Sequence, residues 1–454
     1  VRKIFSNPAV FSIALVISGC TSYQPLPLTQ HARLAEHIEN IRHTLPALAG
    51  EAGATDIDIT RPLTVAQIGL LAILNAPELQ TERGEQAVAE AHLIQSAMLP
   101  NPSVGLGYAA LLGGPGTTGA YTASLSQDIA SLVTYRRRVA AARAGVEQVN
   151  ANLLWKEWQV AQKAQLLAVD LYWGIRSISA MEEELALVSR TTSDVRTAVA
   201  AGDMGLADLA PVQDSRATTE RSLASLRESQ SANWQSLDAL LGMKPEVRFA
   251  IAKPNLPALP ADSDALVANV QSRRPDLVAL QLGYRSADES VRAAILGQFP
   301  ALVLGGTWGS DTSDIRSAGP VATFDLPIFD RNQGQVAQTQ ATRLLLHEQY
   351  QQQLDDTVSS ILGLQAKSQR IAATLETATQ AAMSAQSHAN TARSAYESRD
   401  IDQRTLTDYE TTSLQRTTEV FDLERGLDEA RVALALELGL GLPSARIAPL
   451  DQTR

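Results

Sequence analysis

The chain has 454 residues, with 38 basic and 49 acidic side chains, a net charge of −11 at neutral pH and a single cysteine, Cys20. That balance argues against a nucleic-acid partner, and one cysteine rules out an intrachain disulfide framework. After the N-terminal residues no stretch approaches ~18 uninterrupted apolar residues, so no transmembrane helix is available and any membrane-spanning part has to be a β-barrel.

The N-terminus is ordered like a secretory signal. Arg2 and Lys3 give a basic start, Ala9 to Ile17 is an apolar run too short to span a bilayer, and small residues lead to Cys20. Residues 1–19 read as a lipoprotein signal peptide, because Ile17-Ser18-Gly19-Cys20 resembles the bacterial lipobox, whose cysteine is lipidated and becomes the new N-terminus. A cysteine placed there by chance is the plainer alternative; its position at the cleavage site of an otherwise cysteine-free chain favours a covalent lipid, palmitate among its acyl groups, on Cys20. Thr21, not Asp, follows it, which favours the outer membrane over the inner one. Residues 20–63, carrying Pro25 and Pro27 and little periodicity, are expected to be a lipid-anchored tether.

Thr64 reads as the N-cap of a short helix to Asn75. Pro77 starts a second helix, where a missing N–H costs nothing, and Pro100-Asn101-Pro102 stops it after Leu99. Two candidate strands follow, Ser103 to Leu112 and Tyr121 to Ile129, joined by Gly113-Gly114-Pro115-Gly116. Their alternating small and large side chains suit tilted membrane strands of about ten residues; taken alone, they would equally serve as the edge sheet of a soluble domain. From Leu132 to Ala200 there is no proline, so one helix of roughly 100 Å is expected at about 1.5 Å per residue. Steps of seven from Val139 reach Val146, Leu153, Val160, Leu167, Gly174, Met181, Val188 and Val195, a coiled-coil seam broken only at the glycine. The chain turns at Gly202-Asp203 and returns as a shorter helix to Leu241.

The pattern then repeats. Ala76-Pro77-Glu78-Leu79 recurs as Arg274-Pro275-Asp276-Leu277, 198 positions later, and Leu241-Gly242 recurs as Leu438-Gly439, 197 positions later. The second copy has candidate strands over Ala301 to Trp308 and Pro320 to Phe329, and a second long seam from Leu354 through Ile361 and Leu375 to Tyr396. Its turn falls at Arg399-Asp400. Order and spacing held from end to end mark a duplicated structural unit. The expected organisation is a first repeat over 64–243, a proline-rich linker over 244–263 lying as a surface strap, a second repeat over 264–443 and a tail over 444–454. Four strands cannot close a barrel, so several copies of the chain have to share one.

With its two Pro-Glu/Asp-Leu helix starts, proline stops, Asp325-Leu326-Pro327-Ile328-Phe329-Asp330 and closing Leu-Gly pairs, the chain from Thr64 to Pro443 resembles the TolC-like outer-membrane efflux proteins. The resemblance implies a mainly α fold with a small β part. Each subunit of a homotrimer would give four strands to a shared twelve-stranded outer-membrane β-barrel and its long coiled-coil hairpins to a periplasmic α-barrel. It implies a passive exit duct at the cell outer membrane, and, as partners, a periplasmic adaptor (membrane fusion) protein, an inner-membrane pump of the RND type and outer-membrane lipid. Leu99-Pro100-Asn101-Pro102, and Leu125-Ser126-Gln127 ahead of Arg136-Arg137-Arg138, look most like the branch serving heavy-metal cation pumps. The sequence departs from the family at the second hairpin tip, where Ser398-Arg399 replaces the usual glycine.

A duct needs no nucleophile, and the chain does not read as an enzyme. His31, His37, His43, His92, His347 and His388 are scattered without metal-ligand spacing, and neither a phosphate loop nor a nucleophile elbow occurs. No cofactor is expected beyond the lipid on Cys20. The candidate functional residues lie at the hairpin tips: Asp203 and Asp208 at the first; Arg399, Asp400, Asp402, Arg404 and Asp408 at the second. By the resemblance, Asp408 sits where a ring of carboxylates narrows the periplasmic entrance, and Asp208-Leu209 matches the Asp-Leu of the first tip. Converging carboxylates repel one another and attract cations, so arginines of neighbouring tips would hold such a ring shut until an adaptor binds. The plainer alternative is that they are solvated helix caps. The competing class is a lipid-anchored periplasmic coiled-coil adaptor or scaffold with no channel, for which the usual lipoyl-like modules are missing; a hydrolase is a distant third.

Overall fold

The computed structural model describes residues 23–45, 55–256 and 267–440. The expected signal peptide, Cys20, the tail 444–454 and, in the linker, Pro257 and Pro260 lie outside the described residues. The chain forms two units, Val1–Leu34 and Ala35–Arg454. In the first, the described residues 23–34 are exposed and lack regular structure. All that follows concerns the second.

Strands β1 (Thr44–Leu45) and β2 (Thr55–Asp56) form a small antiparallel ribbon. Helix α1 (Val65–Asn75) starts as expected at Thr64, in a reciprocal box: Gln67 N–H donates to Thr64 Oγ1 at 3.3 Å and Thr64 N–H donates to Gln67 Oε1 at 2.9 Å. Helix α2 (Pro77–Ser96) ends three residues before Leu99, since the residue before a proline is pushed out of the helical region. The first hairpin is α3 (Ala130–Ala201), 72 residues long, and α4 (Leu206–Leu240). Ile68 and Leu71 of α1 pack on Ala164 and Ala168 of α3, all fully buried; the alanines let the two backbones approach closely.

Two expectations are corrected in this core. The tether ends at Leu34, not at residue 63: Ala35 N–H donates to Gly242 O and Lys244 N–H donates to Ala35 O, both at 2.9 Å, while Ile38, Ile41, Ile57 and Leu63 are buried. Nor is the described part of the linker a surface strap. Met243 and Val247 are buried, Phe249 and Ile251 pack on the same core, and Leu63 bridges Ile251 in parallel. Prolines bar a helix there but leave an extended segment free to face alternate side chains inward.

The second repeat holds α5 (Val270–Arg273), α6 (Pro275–Leu296), α7 (Gln333–Glu397) and α8 (Gln403–Glu437). Arg274, 2% exposed, pairs with Asp276 at 2.6 Å and with Glu437, and its guanidinium lies 4.5 Å from the Trp155 ring of α3. It thereby ties both ends of the second repeat to the first.

Between the helices stands one antiparallel sheet, β3 (Ser103–Ala109), β4 (Ala120–Asp128), β5 (Leu302–Ser310) and β6 (Arg316–Phe324), in that order, so β4–β5 joins the repeats. The second strand pair differs from expectation. Asp311 Oδ1 accepts from Ser313 N–H (2.8 Å) and Ile315 N–H (2.9 Å), which tightens the connection and brings β6 forward, and Pro327, lacking an N–H, lies in a connector beyond it. Register puts Val104, Leu106 and Tyr108 beside Leu125, Ala123 and Tyr121, and these beside Gly306, Trp308 and Ser310. One face is thus largely apolar. The other carries Ser103, Gly105, Gly107, Thr122, Ser124, Ser126, Gly305 and Thr307, and is so close-set that a Cβ on Gly305 would meet Leu125 O at 2.4 Å. Among the described residues the outer edges of β3 and β6 pair with no other strand. Among the described residues no helix is long and apolar enough to cross a membrane.

Candidate functional site

Both hairpin tips are built by the same helix ending. Asp203 N–H reaches back to Ala198 O (2.9 Å) and Asp400 N–H to Ala395 O (2.8 Å), six-residue closures around a left-handed Gly202 (φ 85°) and Arg399 (φ 66°). Past each turn a carboxylate starts the returning helix. Asp208 Oδ2 accepts from Gly205 N–H at 3.1 Å; Asp402, the N-cap of α8, accepts from Thr405 N–H at 2.8 Å. These bonds to Thr405 hold the Asp402 carboxyl below the usual range, with Arg404 a lesser contributor.

Asp203, Asp208, Arg399, Asp400, Asp402, Arg404 and Asp408 are all exposed, and among the described residues none forms an ion pair within the chain. The fold brings them to the two tips. Two of them, Asp208 and Asp402, also cap helices. The charge pair that does close the second tip is another one, Arg393 of α7 with Glu410 of α8 at 2.6 Å. Among the described residues no group of His, Cys, Asp or Glu could hold a metal ion.

Residues 266–440 match the family described as outer membrane efflux protein. The second repeat is thus similar in sequence to that family. Solved structures share the fold across both repeats. CusC is 16% identical with a TM-score of 0.66, over 83% of this chain and 92% of that one. The outer membrane protein VceC of Vibrio cholerae is 18% identical (TM-score 0.65, 83% and 96%), and the CmeC outer membrane channel of Campylobacter jejuni is 14% identical (TM-score 0.67, 94% and 96%). No curated protein matches the chain in sequence.

The two hairpins meet along α3 and α8, where polar pairs lie among apolar contacts such as that of Trp173 with Phe421. Asp170, Ser177, Glu184 and Thr191 follow one another by sevens on α3, the last three buried. Thr191 and Thr407 hydroxyls meet at 3.0 Å, Gln415 Nε2 donates to Glu184 Oε1 at 3.1 Å, and Trp173 Nε1 donates to Asp428 Oδ2 at 3.1 Å. Burial raises the Asp428 pKa. Burial and then the Glu429 carboxylate raise that of Asp170 to about 7. Sequence reasoning missed this seam because polar residues beside an apolar heptad read as solvent-facing. Their own seven-residue spacing was the available signal.

Proposed function

We propose that the chain is an outer membrane efflux protein, the exit duct of a tripartite efflux system. It works as a homotrimer, receiving solute from an inner-membrane pump through a periplasmic adaptor. The observation that carries this reading is the sheet: an apolar face, a small polar face and two unpaired edges. Four such strands satisfy their edges in lipid only by closing with strands of other copies, the polar face then lining water. Tyr108, Tyr121 and Trp308 at one end of the apolar face and Phe324 at the other suit the two lipid–water interfaces. The 72- and 65-residue helices reach about 100 Å below it.

The tips are the gate. Asp400 and Asp408 from three copies form the constriction, with Arg399 and Arg404 of neighbours as countercharges and Asp203, Asp208 and Asp402 at the adaptor-facing rim. Cys20 carries the lipid anchor. The pump is of the RND type, and the exported solute is a heavy-metal cation or a drug.

Detergent-extracted protein imaged by electron microscopy should give trimeric tubes over about 100 Å long, and in planar bilayers it should conduct ions. Trimers that never conduct, even with Asp400 and Asp408 both changed to Ala, would overturn the duct. Unchanged conductance in that variant of a conducting protein would remove the gate assignment alone. Cys20→Ala should abolish lipid labelling; continued labelling would place the anchor elsewhere.

A further inference from the structure

The joint between sheet and helices is made once inside the chain and left open at its two outer edges. Inside, the segment entering β5, Leu296–Leu302, faces the base of the first repeat, Asp128–Thr134, across one cleft, and Ile129 N–H donates to Leu302 O at 2.8 Å. The 198-residue duplication makes Met98–Val104, which enters β3, the counterpart of Leu296–Leu302. It makes the connector after β6 the counterpart of the first repeat's base. Strand order puts these two unmatched halves on opposite edges of the sheet, and the antiparallel course puts both at its helix-proximal end.

Each unmatched half exposes large apolar side chains. Met98 and Leu99 are 55% and 56% exposed on one side; Phe324, Leu326, Ile328 and Phe329 are 60%, 70%, 66% and 91% exposed on the other. The connector is nevertheless held in place. Arg331 Nε donates to Pro327 O at 3.2 Å, Gln333 Nε2 donates to Phe329 O at 3.1 Å, and Asn332 Nδ2 donates to Ala294 O at 2.8 Å. It walls an open cleft of about 1150 Å³ at the strand side. A fixed loop that turns Leu326, Ile328 and Phe329 outward, beside Phe324 at the end of β6, is built to be covered.

We propose that Met98–Val104 of the partner subunit seats on Phe324, Leu326, Ile328 and Phe329, repeating between copies the joint that Leu296–Leu302 makes within one. This rests on the trimer reading and adds to it a protein-sealed collar below the lipid-facing strands. The unpaired β6 edge commits the occupant to a second copy, since the strand that completes that edge brings its own leading segment to the same end of the sheet.

The test uses the full chain in outer membranes with Leu99→Cys combined in turn with Leu326→Cys, Ile328→Cys and Phe329→Cys, oxidised with copper phenanthroline. At least one pair should give covalent dimers and trimers on non-reducing gels, whereas each single substitution should run as wild type. Light scattering of the unoxidised proteins reports the assembly independently. Trimers without a cross-link in any pair would overturn the collar and leave the trimer standing, and phospholipid retained on those trimers would assign the cleft to lipid instead. Monomers would overturn both.

Discussion

Arg399 holds the backbone position that Gly202 holds in the other hairpin, 197 residues earlier, and both are left-handed, at φ 66° and 85°. A side chain pays there for a conformation that glycine adopts freely, about 1 kcal/mol or somewhat more. Arg399→Gly should relieve that strain, partly offset by glycine's greater freedom when the turn opens. Amide exchange at Asp400 should slow by roughly threefold. Gly202→Arg should speed exchange at Asp203 by a similar factor. Hydrogen exchange followed by mass spectrometry reads both.

Asp402 should make the second tip sensitive to acid. Its pKa is lowered by the bonds to Thr405, so its stabilisation is present above the ordinary carboxylate range and is lost as pH falls through the lowered value. Asp402→Ala should weaken the start of α8 by about 1 kcal/mol at neutral pH, and Asp402→Asn should keep the cap while removing its acid sensitivity. Exchange at Thr405 measured from neutral pH down to acid separates the two variants.

Along the α3–α8 seam the sign is reversed. The Asp170 pKa is raised to about 7 by burial and Glu429, so the folded seam holds a proton that an unfolded chain would release. Stability should fall as pH rises from the ordinary carboxylate range through about 7. Asp170→Asn should leave melting in mild acid near wild type and raise it above neutrality. Thermal melts on either side of that window check this.

The two faces of the sheet should respond oppositely to the same charge. Leu106→Arg, on the apolar face, should cost about 2–4 kcal/mol and deplete folded protein from the outer membrane. Thr122→Arg, on the face carrying Ser124 and Ser126, should insert normally and shift conductance toward anions. Membrane fractionation and reversal potentials distinguish them.

Much of this was legible in short spans. The Thr64 cap, the Pro77 and Pro275 starts, the unbroken long helices and the tips at Gly202 and Arg399 all stand where local chemistry puts them. Strand edges were less so: nothing before Asp311 announces that its carboxylate will tighten the hairpin and move β6. The candidate gate residues stand at the hairpin tips, but which of them cap a helix depends on distances that spacing alone does not supply.

That the chain is a duplicated unit of helix, strand pair and long hairpin can be read from its residues alone, because helix starts, seven-residue seams and strand alternation are written within a few turns of backbone. That β4 and β5 join the repeats, that Met243 and Val247 are core, that Arg274 binds Glu437 and Trp155, and that Asp170, Glu184 and Thr191 face a second helix emerges only in the folded chain. Each of those depends on a partner far away in the chain, and a polar side chain looks the same in sequence whether it meets water or a buried acceptor.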